Sequence, residues 1–582
     1  MMQKSYKVLV LGVDDRSALT VIRSLGRKGI VVHQGTDAND SVASYSKYVK
    51  RVIEFPKVGQ EPDLWLQKLE KLLRSESYDL VIPTADNYLV QIVHNREKLE
   101  KLAKLAIPDD RGFEYTYKKS KTLELAESLG VPIPKSFEVV DIKQLDAICE
   151  AFHFPVIVKP VSSKVWQQNI RHALDVELAK DRSDLEKKLV RLLPICPVLI
   201  QSFHKGVGIG QEFLMDSGEM VAAFQHERVH EPLGGGGSSY RKSAPLDQEL
   251  LKHSLNLLQN LRWTGVAMVE YKQDQETGES VLMEINGRFW GSLPLAIAAG
   301  VDFPGLLFDM LVKGKKPVEN KYRYHLYARN PVKDLDWLKE NIRADKKDPF
   351  KITVPMPKVV AEIRHIALLR ERWDTIVLDD PKPGVRQLSK YFGENLRGAR
   401  EKIQHKLLEL NYRFNPFHRK NAENRFAKLV KKQPFIAFVC KGNICRSPFA
   451  DYYLRAKLNG KADTIRIDSY GLIERVDRPS PDNAVEAAQD YGIDMRPHRS
   501  KLLTPEVVQQ AGAVFIMDIE LYRRVLLTFP ESKNKLFFLG SFRKNAPSLE
   551  IIDPYGGDIN RFQKIYRQIS EAVENLLPIT QK

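Results

Sequence analysis

The stretch Val439-Cys-Lys-Gly-Asn-Ile-Cys-Arg-Ser-Pro448 decides how the last quarter of the chain folds. An apolar run from Phe435 delivers a cysteine, five residues form a loop, and an arginine opens a helix. Gly442 lets the loop curl, so that successive backbone N–H groups point inward as an anion cradle. Ser447 followed by Pro448 predicts an N-cap with proline at the first helical position, aiming the helix dipole at the same spot. Such a field favours Cys440 as a thiolate, the form of sulfur that attacks phosphorus. Arg446 offers a planar fork to two phosphoryl oxygens. Lys441, Gly442, Asn443, Ile444, Cys445 and Ser447 complete the loop, with Asn443 and Ser447 placed to brace it by hydrogen bonds.

In-line attack expels an oxygen that takes its proton from the far side of the phosphorus. Asp553, in Ile551-Ile-Asp-Pro-Tyr555, sits where an apolar strand runs into a proline-fixed turn and is the candidate acid. Tyr555 beside it can line a slot for a ring. The unit begins at Pro434 and ends with a helix over Ile559 to Leu577, a length that suits one α/β domain with a central parallel sheet.

These residues resemble the low-molecular-weight protein tyrosine phosphatases. The likeness runs on through Asp468-Ser-Tyr-Gly471, Pro497-His-Arg-Ser500 and Ile516-Met-Asp518, and covers residues 430 to 578. It implies Cys440 as nucleophile, Arg446 as phosphate ligand, Asp553 as general acid, and Cys445 as a partner for a reversible disulfide with Cys440. Arsenate reductases of this fold relay oxidation through further cysteines, and none follows Cys445. Phosphoarginine phosphatases of this fold carry Thr where Ile444 stands. The apolar Ile444, with Tyr555, favours phosphotyrosine, on a protein or as a small aryl phosphate.

A second set of chemical residues lies upstream and is spread out. The chain opens as strand, turn, helix, strand: Lys7 to Gly12, then Leu19 to Leu25 at helical spacing, then Ile30 to His33. Its turn, GVDDRSA, lacks the glycine spacing of a dinucleotide site. Tyr78 to Pro83 is another buried strand. Pro155-Val-Ile-Val-Lys-Pro160 is a further strand that ends in Lys159, a point charge suited to nucleotide phosphates, and Lys119 is a second. Glu270 on one strand, with Glu284 and Asn286 on the next, supplies three oxygen ligands of the kind Mg²⁺ takes. Arg288, two residues on, can reach a phosphate.

This pattern resembles the ATP-grasp superfamily over residues 1 to 315, with Leu282-Met-Glu-Ile-Asn-Gly-Arg288 closest to its carboxylate–amine ligase type. The likeness implies a βαβ domain preceding a two-lobed α+β fold, ATP and Mg²⁺ (Mn²⁺ as the alternative ion), and an acyl phosphate made from a small carboxylate and displaced by an amine. Gln201 falls at the hinge, where Ser202 replaces a glutamate of many relatives, so that Glu212 or another residue takes over the ribose contact. His226-Glu-Arg228 and the Gly234 to Ser239 loop approach phosphate and substrate.

Composition sets the frame. At 582 residues the chain holds about three to five globular units, and its apolar content excludes wholesale disorder. Four cysteines, Cys149, Cys196, Cys440 and Cys445, are too few for a disulfide framework and fit a reducing, cytoplasmic setting. Cys149 and Cys196 lie in apolar surroundings and read as core thiols. The N-terminus reads as a first strand rather than a signal peptide. Leu293 to Val312, the most apolar longer stretch, is broken by Pro294, Asp302, Pro304 and Asp309, so no transmembrane segment is expected. Of the net charge of +16, more than half lies between Arg386 and Lys432, where thirteen Lys/Arg face four Glu. That segment reads as a solvated helical connector, with a break at Asn415-Pro416, or as a surface for an anionic partner.

The expected division is a pre-ATP-grasp α/β domain over 1–110, an ATP-grasp ligase over 111–319, an accessory region and basic connector over 320–432, and a phosphatase-like domain over 433–582. Two enzymes in one chain is the reading. The alternative is that one domain is non-catalytic and acts as a nucleotide- or phosphate-responsive module for the other.

Overall fold

The computed structural model describes residues 5–13, 16–161, 164–167, 170–173, 176–315, 321–346, 348, 350–414, 418–458, 465–544 and 548–580. They fall into two compact units, Met1–Gly393 and Glu394–Lys582, both mixed α/β.

Unit 1 opens with a four-stranded parallel sheet in the order Val49–Glu54, Val31–Thr36, Lys7–Leu11, Leu80–Pro83. A parallel sheet covered on both faces calls for unbroken apolar strands. In KVLVL the two-residue period sends Val8 and Val10 into one core with Leu19 and Ile22, and Leu9 and Leu11 into another with Trp65 and Leu69. The helices Ser17–Arg27 and Pro62–Ser75 that carry these partners thus cover opposite faces. The βαβ start is the one that the hydrophobic spacing predicts.

Two further sheets follow, antiparallel except for the last pair of the larger one, Tyr327–Arg329 with Glu371–Trp373, which is parallel. One has four strands, Ser136–Val139, Val198–Ser202, Val156–Pro160 and Glu177–Ala179. It is covered by the helices Leu145–Ala151 and Arg182–Leu192. The other has seven, ordered Ser280–Asn286, Gly265–Gln273, Val207–Asp216, Glu219–His230, Tyr240–Ala244, Tyr327–Arg329, Glu371–Trp373. Its odd-numbered side chains, Phe213, Ala267, Val269 and Ile285 among them, pack on the helix Gln248–Asn260. Its even-numbered face is the one that carries chemistry.

Residues 320 to 385 show no assignable periodicity in the sequence. Brevity is one reason: Tyr327–Arg329 and Glu371–Trp373 are three-residue strands, too short to display a period, yet they extend the large sheet at its far edge. The 13-residue helix Pro331–Arg343 hides its period because two of its three buried residues, Asp334 and Asn341, are polar. Among the described residues no single helix is long and apolar enough to cross a membrane. The pair Leu293–Ala299 and Phe303–Lys313 is bent by 88° and lies in a core.

Unit 2 is built on a parallel sheet in the order Arg466–Gly471, Phe435–Cys440, Ala513–Ile516, Leu536–Phe538. All six residues of FIAFVC are buried, as an inner strand requires. The helices Arg446–Leu458 and Ile559–Thr580 pack together through Phe449 and Tyr566, whose rings stack at 3.8 Å. The helix His418–Lys432 inserts Phe426 among Phe515, Phe537 and Phe542. It follows the long helix Lys382–Phe414. The break expected at Asn415-Pro416 lies outside the described residues.

One local expectation is corrected. The helix behind the cysteine loop begins at Arg446, so Ser447 lies inside its first turn and is not its N-cap. Ser447 Oγ donates instead to Cys440 Sγ at 3.1 Å, a partner that outcompetes the helix backbone for a short hydroxyl.

Candidate active sites

In unit 2, Cys440 ends its strand with 3% exposure. Two donors point at its sulfur: the Asn443 N–H at 3.2 Å and the Ser447 hydroxyl at 3.1 Å. Asn443 makes this possible by taking a left-handed φ of 52°, a conformation that Asn tolerates better than most residues. It is held on every side. Its amide donates to Ser447 Oγ at 3.0 Å, its Oδ1 accepts from Lys501 N at 2.7 Å, and its carbonyl meets His498 Nε2 at 2.7 Å. Burial pushes the His498 imidazolium down, which leaves a neutral ring with one N–H to give that carbonyl. Gly471 has no room for a side chain, since a Cβ there would lie 2.9 Å from Asn443 N. Arg478 ties down the Gly442 carbonyl at 2.7 Å.

Arg446 is 1% exposed and spans the loop. Nη1 donates to Asp518 Oδ2 at 2.7 Å and to the Ile551 carbonyl at 2.8 Å, and Nη2 donates to Asp553 Oδ2 at 2.8 Å. Burial works against its charge, but Cys440, Asp553 and Asp518 more than restore it and raise its pKa. Its Nε is buried without a protein partner. Asp553 remains 37% exposed in its side chain, and Tyr555 is 65% exposed on the rim. Lys441 faces solvent and Ile444 is buried. Cys445 is sealed at 2% exposure, and burial, with Cys440 beside it, pushes its thiol far up.

In unit 1 the even-numbered face of the large sheet brings the predicted carboxylates together. Glu270 pairs in register with Glu284, and Asn286 Nδ2 bridges them at 3.3 and 3.0 Å. Arg228 Nη2 lies 2.5 Å from Glu270 Oε2, and its Nη1 lies 3.1 Å from Glu231. Burial pushes the Glu270 carboxyl up, with Glu284 adding to it and Arg228 opposing. Across from them Lys159, at the end of its strand in the smaller sheet, is 8% exposed. Burial and then Lys119 lower its pKa to about 8 against the pull of Glu284 and Glu270. Lys119 opens the helix Lys119–Ser128 and is half-buried.

Other predicted residues are engaged differently. Gln201 Nε2 donates to Ser136 Oγ at 2.8 Å, and its buried Oε1 has no protein partner. Glu212 is fully buried, accepting from Ser292 Oγ at 2.6 Å and lying 2.9 Å from His226 Nδ1. Arg288 Nε and Nη2 donate to Asp86 at 2.7 and 3.1 Å. No group of three or more His, Cys, Asp or Glu side chains arranged for a metal occurs among the described residues. The set Glu270, Glu284 and Asn286 is two carboxylates and an amide. Two carboxylates held side by side, of which Glu270 is pushed up, with Gln201 Oε1 and Arg228 Nε left without protein partners, fit a cation and a polar ligand between the two sheets.

Sequence reading included Asp518 and His498 in the phosphatase likeness without giving either a role, and it missed Lys501 at the loop and Asp86 and Glu231 in the cleft. Only Asp518 carried a local signal: it precedes a helix, and its Oδ1 caps Leu521 N at 2.8 Å while Oδ2 holds Arg446.

A parallel sheet whose inner strand hands a cysteine to an anion-cradling loop, closed by a buried arginine, defines the cysteine-loop phosphatase class. Residues 435–582 match the family model described as low molecular weight phosphotyrosine protein phosphatase. The chain is similar there to the low molecular weight protein-tyrosine-phosphatase Ptp of Acinetobacter johnsonii, 35% identical over 21% of this chain and 81% of that protein. It is similar to Etp of Escherichia coli at 29% over 24% and 88%. It is also similar to the protein-arginine-phosphatase of Bacillus subtilis at 29% over 24% and 91%. Through this domain the chain belongs to the low molecular weight protein tyrosine phosphatase family.

Residues 198–330 match the family model described as ATP-grasp in the biosynthetic pathway with Ter operon, so the chain also carries an ATP-grasp domain. Among solved structures, L-amino acid ligase from Bacillus licheniformis is 16% identical over 56% of this chain and 79% of its own, with a TM-score of 0.44. N5-carboxyaminoimidazole synthetase from Staphylococcus aureus, complexed with ADP, is 16% identical over 62% and 97%, with a TM-score of 0.47. Both families are families of enzymes.

Proposed function

We propose that the chain is bifunctional: a phosphotyrosine phosphatase working through a phosphocysteine, and an ATP- and Mg²⁺-dependent carboxylate ligase. The observation that supports the first activity most is the convergence on one loop of two donors at Cys440 Sγ and a buried guanidinium. Cys440 attacks phosphorus in line. The loop N–H groups and Arg446 take the equatorial oxygens, and charge-assisted bonds strengthen as charge gathers on them. Asp553 gives the leaving phenol oxygen its proton, then takes one from the water that cleaves the S–P bond, releasing phosphate and restoring Cys440. Tyr555 and the equally exposed Ile552 supply the apolar rim that an aryl ring would meet.

For the second activity, Lys159, Lys119, Arg228 and Arg288 supply positive charge to ATP phosphates, and Gln201 Oε1 is a free acceptor at the strand edge. Glu270, Glu284 and Asn286 would hold Mg²⁺, which, when bound, neutralises charge on the transferring phosphoryl group. Glu212, sealed beneath His226 and Ser292, supports this face from within. The γ-phosphoryl group of ATP passes to the substrate carboxylate, leaving ADP, and an amine then attacks the acyl carbon and expels phosphate, forming an amide.

Turnover of p-nitrophenyl phosphate by the full chain, lost in Cys440→Ser, tests the first half. Carboxylate-dependent ADP release, lost in Glu284→Ala with phosphatase turnover intact, tests the second. A Cys440→Ser protein that still hydrolyses the ester, or ADP release unmoved by Glu284→Ala, contradicts the respective assignment.

A further inference from the structure

The segment Lys351 to Trp373 in unit 1 has its polarity turned inside out. In the short helix Ile363–Ala367 and the residue before it, Glu362 and His365 are buried, whereas Ile363 and Ile366 are 63% and 47% exposed. Glu362 accepts from His230 Nε2 at 3.0 Å and from Arg329 Nη2 at 3.1 Å, and His365 Nδ1 meets the Tyr240 hydroxyl at 2.7 Å. Beyond the helix, Leu368 and Leu369 form a turn at 58% and 77% exposure. Leu369 holds a φ of 57°, a conformation that a bulky side chain enters only when its surroundings impose it. Arg372 Nη1, bonded to the Leu369 carbonyl at 2.8 Å, fixes that turn from below.

Charge follows the same division. The segment contains two acids, Glu362 and Glu371, and both are turned into unit 1, where Arg329 binds them. Its five cations, Lys351, Lys358, Arg364, Arg370 and Arg372, are all exposed. The segment therefore presents large apolar side chains set among cations and contributes no exposed anion of its own, although Lys351 at its start lies 3.9 Å from Asp348.

We infer that this surface docks unit 1 onto an anionic lipid bilayer, with Leu368, Leu369 and Ile363 entering the interface and Arg364, Arg370 and Arg372 meeting lipid phosphates. Apolar side chains flanked by Lys and Arg are what interfacial binding draws on, because apolar burial and attraction to anionic headgroups add. A second copy of the chain would bring five cations against five. A nucleic acid would use the cations and leave the leucine turn in water. The bilayer alone satisfies both features.

Flotation of the full chain with vesicles tests this. Recovery is expected with mixed phosphatidylcholine and phosphatidylglycerol, and not with phosphatidylcholine alone, and it should fall as salt rises. Arg370→Gln and Arg372→Gln should each weaken binding about fivefold. Leu369→Ser should weaken it about tenfold at unchanged net charge. All three positions are exposed, and an unchanged thermal transition by circular dichroism confirms the fold. Absence of flotation, flotation indifferent to lipid charge, Leu369→Ser floating like the parent, or a concentration-dependent dimer that Leu369→Ser dissolves would each overturn the inference.

Discussion

Arg446 Nη2 and Asp553 Oδ2 lie 2.8 Å apart across 107 residues of chain, so the guanidinium that is to receive a phosphate is bonded to the acid that is to serve the leaving group. Phosphate and Asp553 compete for one N–H. Asp553→Ala should therefore bind inorganic phosphate more tightly while turning over a phosphotyrosine peptide about 10²- to 10⁴-fold more slowly. The loss should be smaller for p-nitrophenyl phosphate, whose phenolate leaves readily without a proton. Competitive inhibition by phosphate and kcat on both esters check this, and equal losses on the two would remove the acid role.

Asn443 is predicted to be the loop's mechanical centre. Asn443→Ala forfeits the bonds to Ser447 and Lys501 and places a Cβ residue at a φ of 52° without local compensation. About 2–4 kcal/mol of unit 2 stability should go with it, and Asn443→Gly, which keeps the backbone freedom, should recover about 1–2 kcal/mol of that. Loss of p-nitrophenyl phosphate turnover on heating reads unit 2 separately from unit 1.

Lys159 should report ATP binding through protons. Its pKa of about 8 in the free protein rises when phosphates arrive, so binding near pH 8 should take up about half a proton per site. Affinity should then fall as pH climbs above that value. Titration calorimetry in buffers of different ionisation heat measures the uptake, and Lys159→Met should abolish it.

His230 links sheet and accessory segment. Burial pushes its imidazolium down, but Asp334 at 2.8 Å and Glu362 at 3.0 Å outweigh this and raise it. A folded-state pKa above the unfolded one makes this contribution complete below the unfolded value and lost as pH rises through the folded value. Calorimetry on the full chain should show the unit 1 transition falling over that window. In His230→Gln it should be lower at acidic pH and flat across the same window.

Sequence served best where chemistry is local. The cysteine loop packs nucleophile, cradle and arginine into eight residues, Cys440 to Ser447, and its strand announces itself by six apolar positions. Glu270, Glu284 and Asn286 were readable because two strands in sequence became neighbours in the sheet. What escaped was long-range or locally deceptive. Asp86 meets Arg288 across 202 residues, and Asp518 meets Arg446 across 72. Ser447 looked like a cap because a cap and a donor to the cysteine sulfur have the same local sequence. The segment around Ile363 resists pattern reading because its apolar side faces outward, the reverse of what periodicity assumes.

The central claim is that phosphate passes through the sulfur of Cys440. Acid quenching of the full chain during turnover of an aryl phosphate, followed by peptide mass analysis, tests it most directly. One phosphoryl group is expected on the peptide containing Cys440, accumulating further under Asp553→Asn, where the water step is slowed, and absent in Cys440→Ser. Steady turnover with that peptide unmodified, or with the phosphoryl group on another side chain, would contradict it.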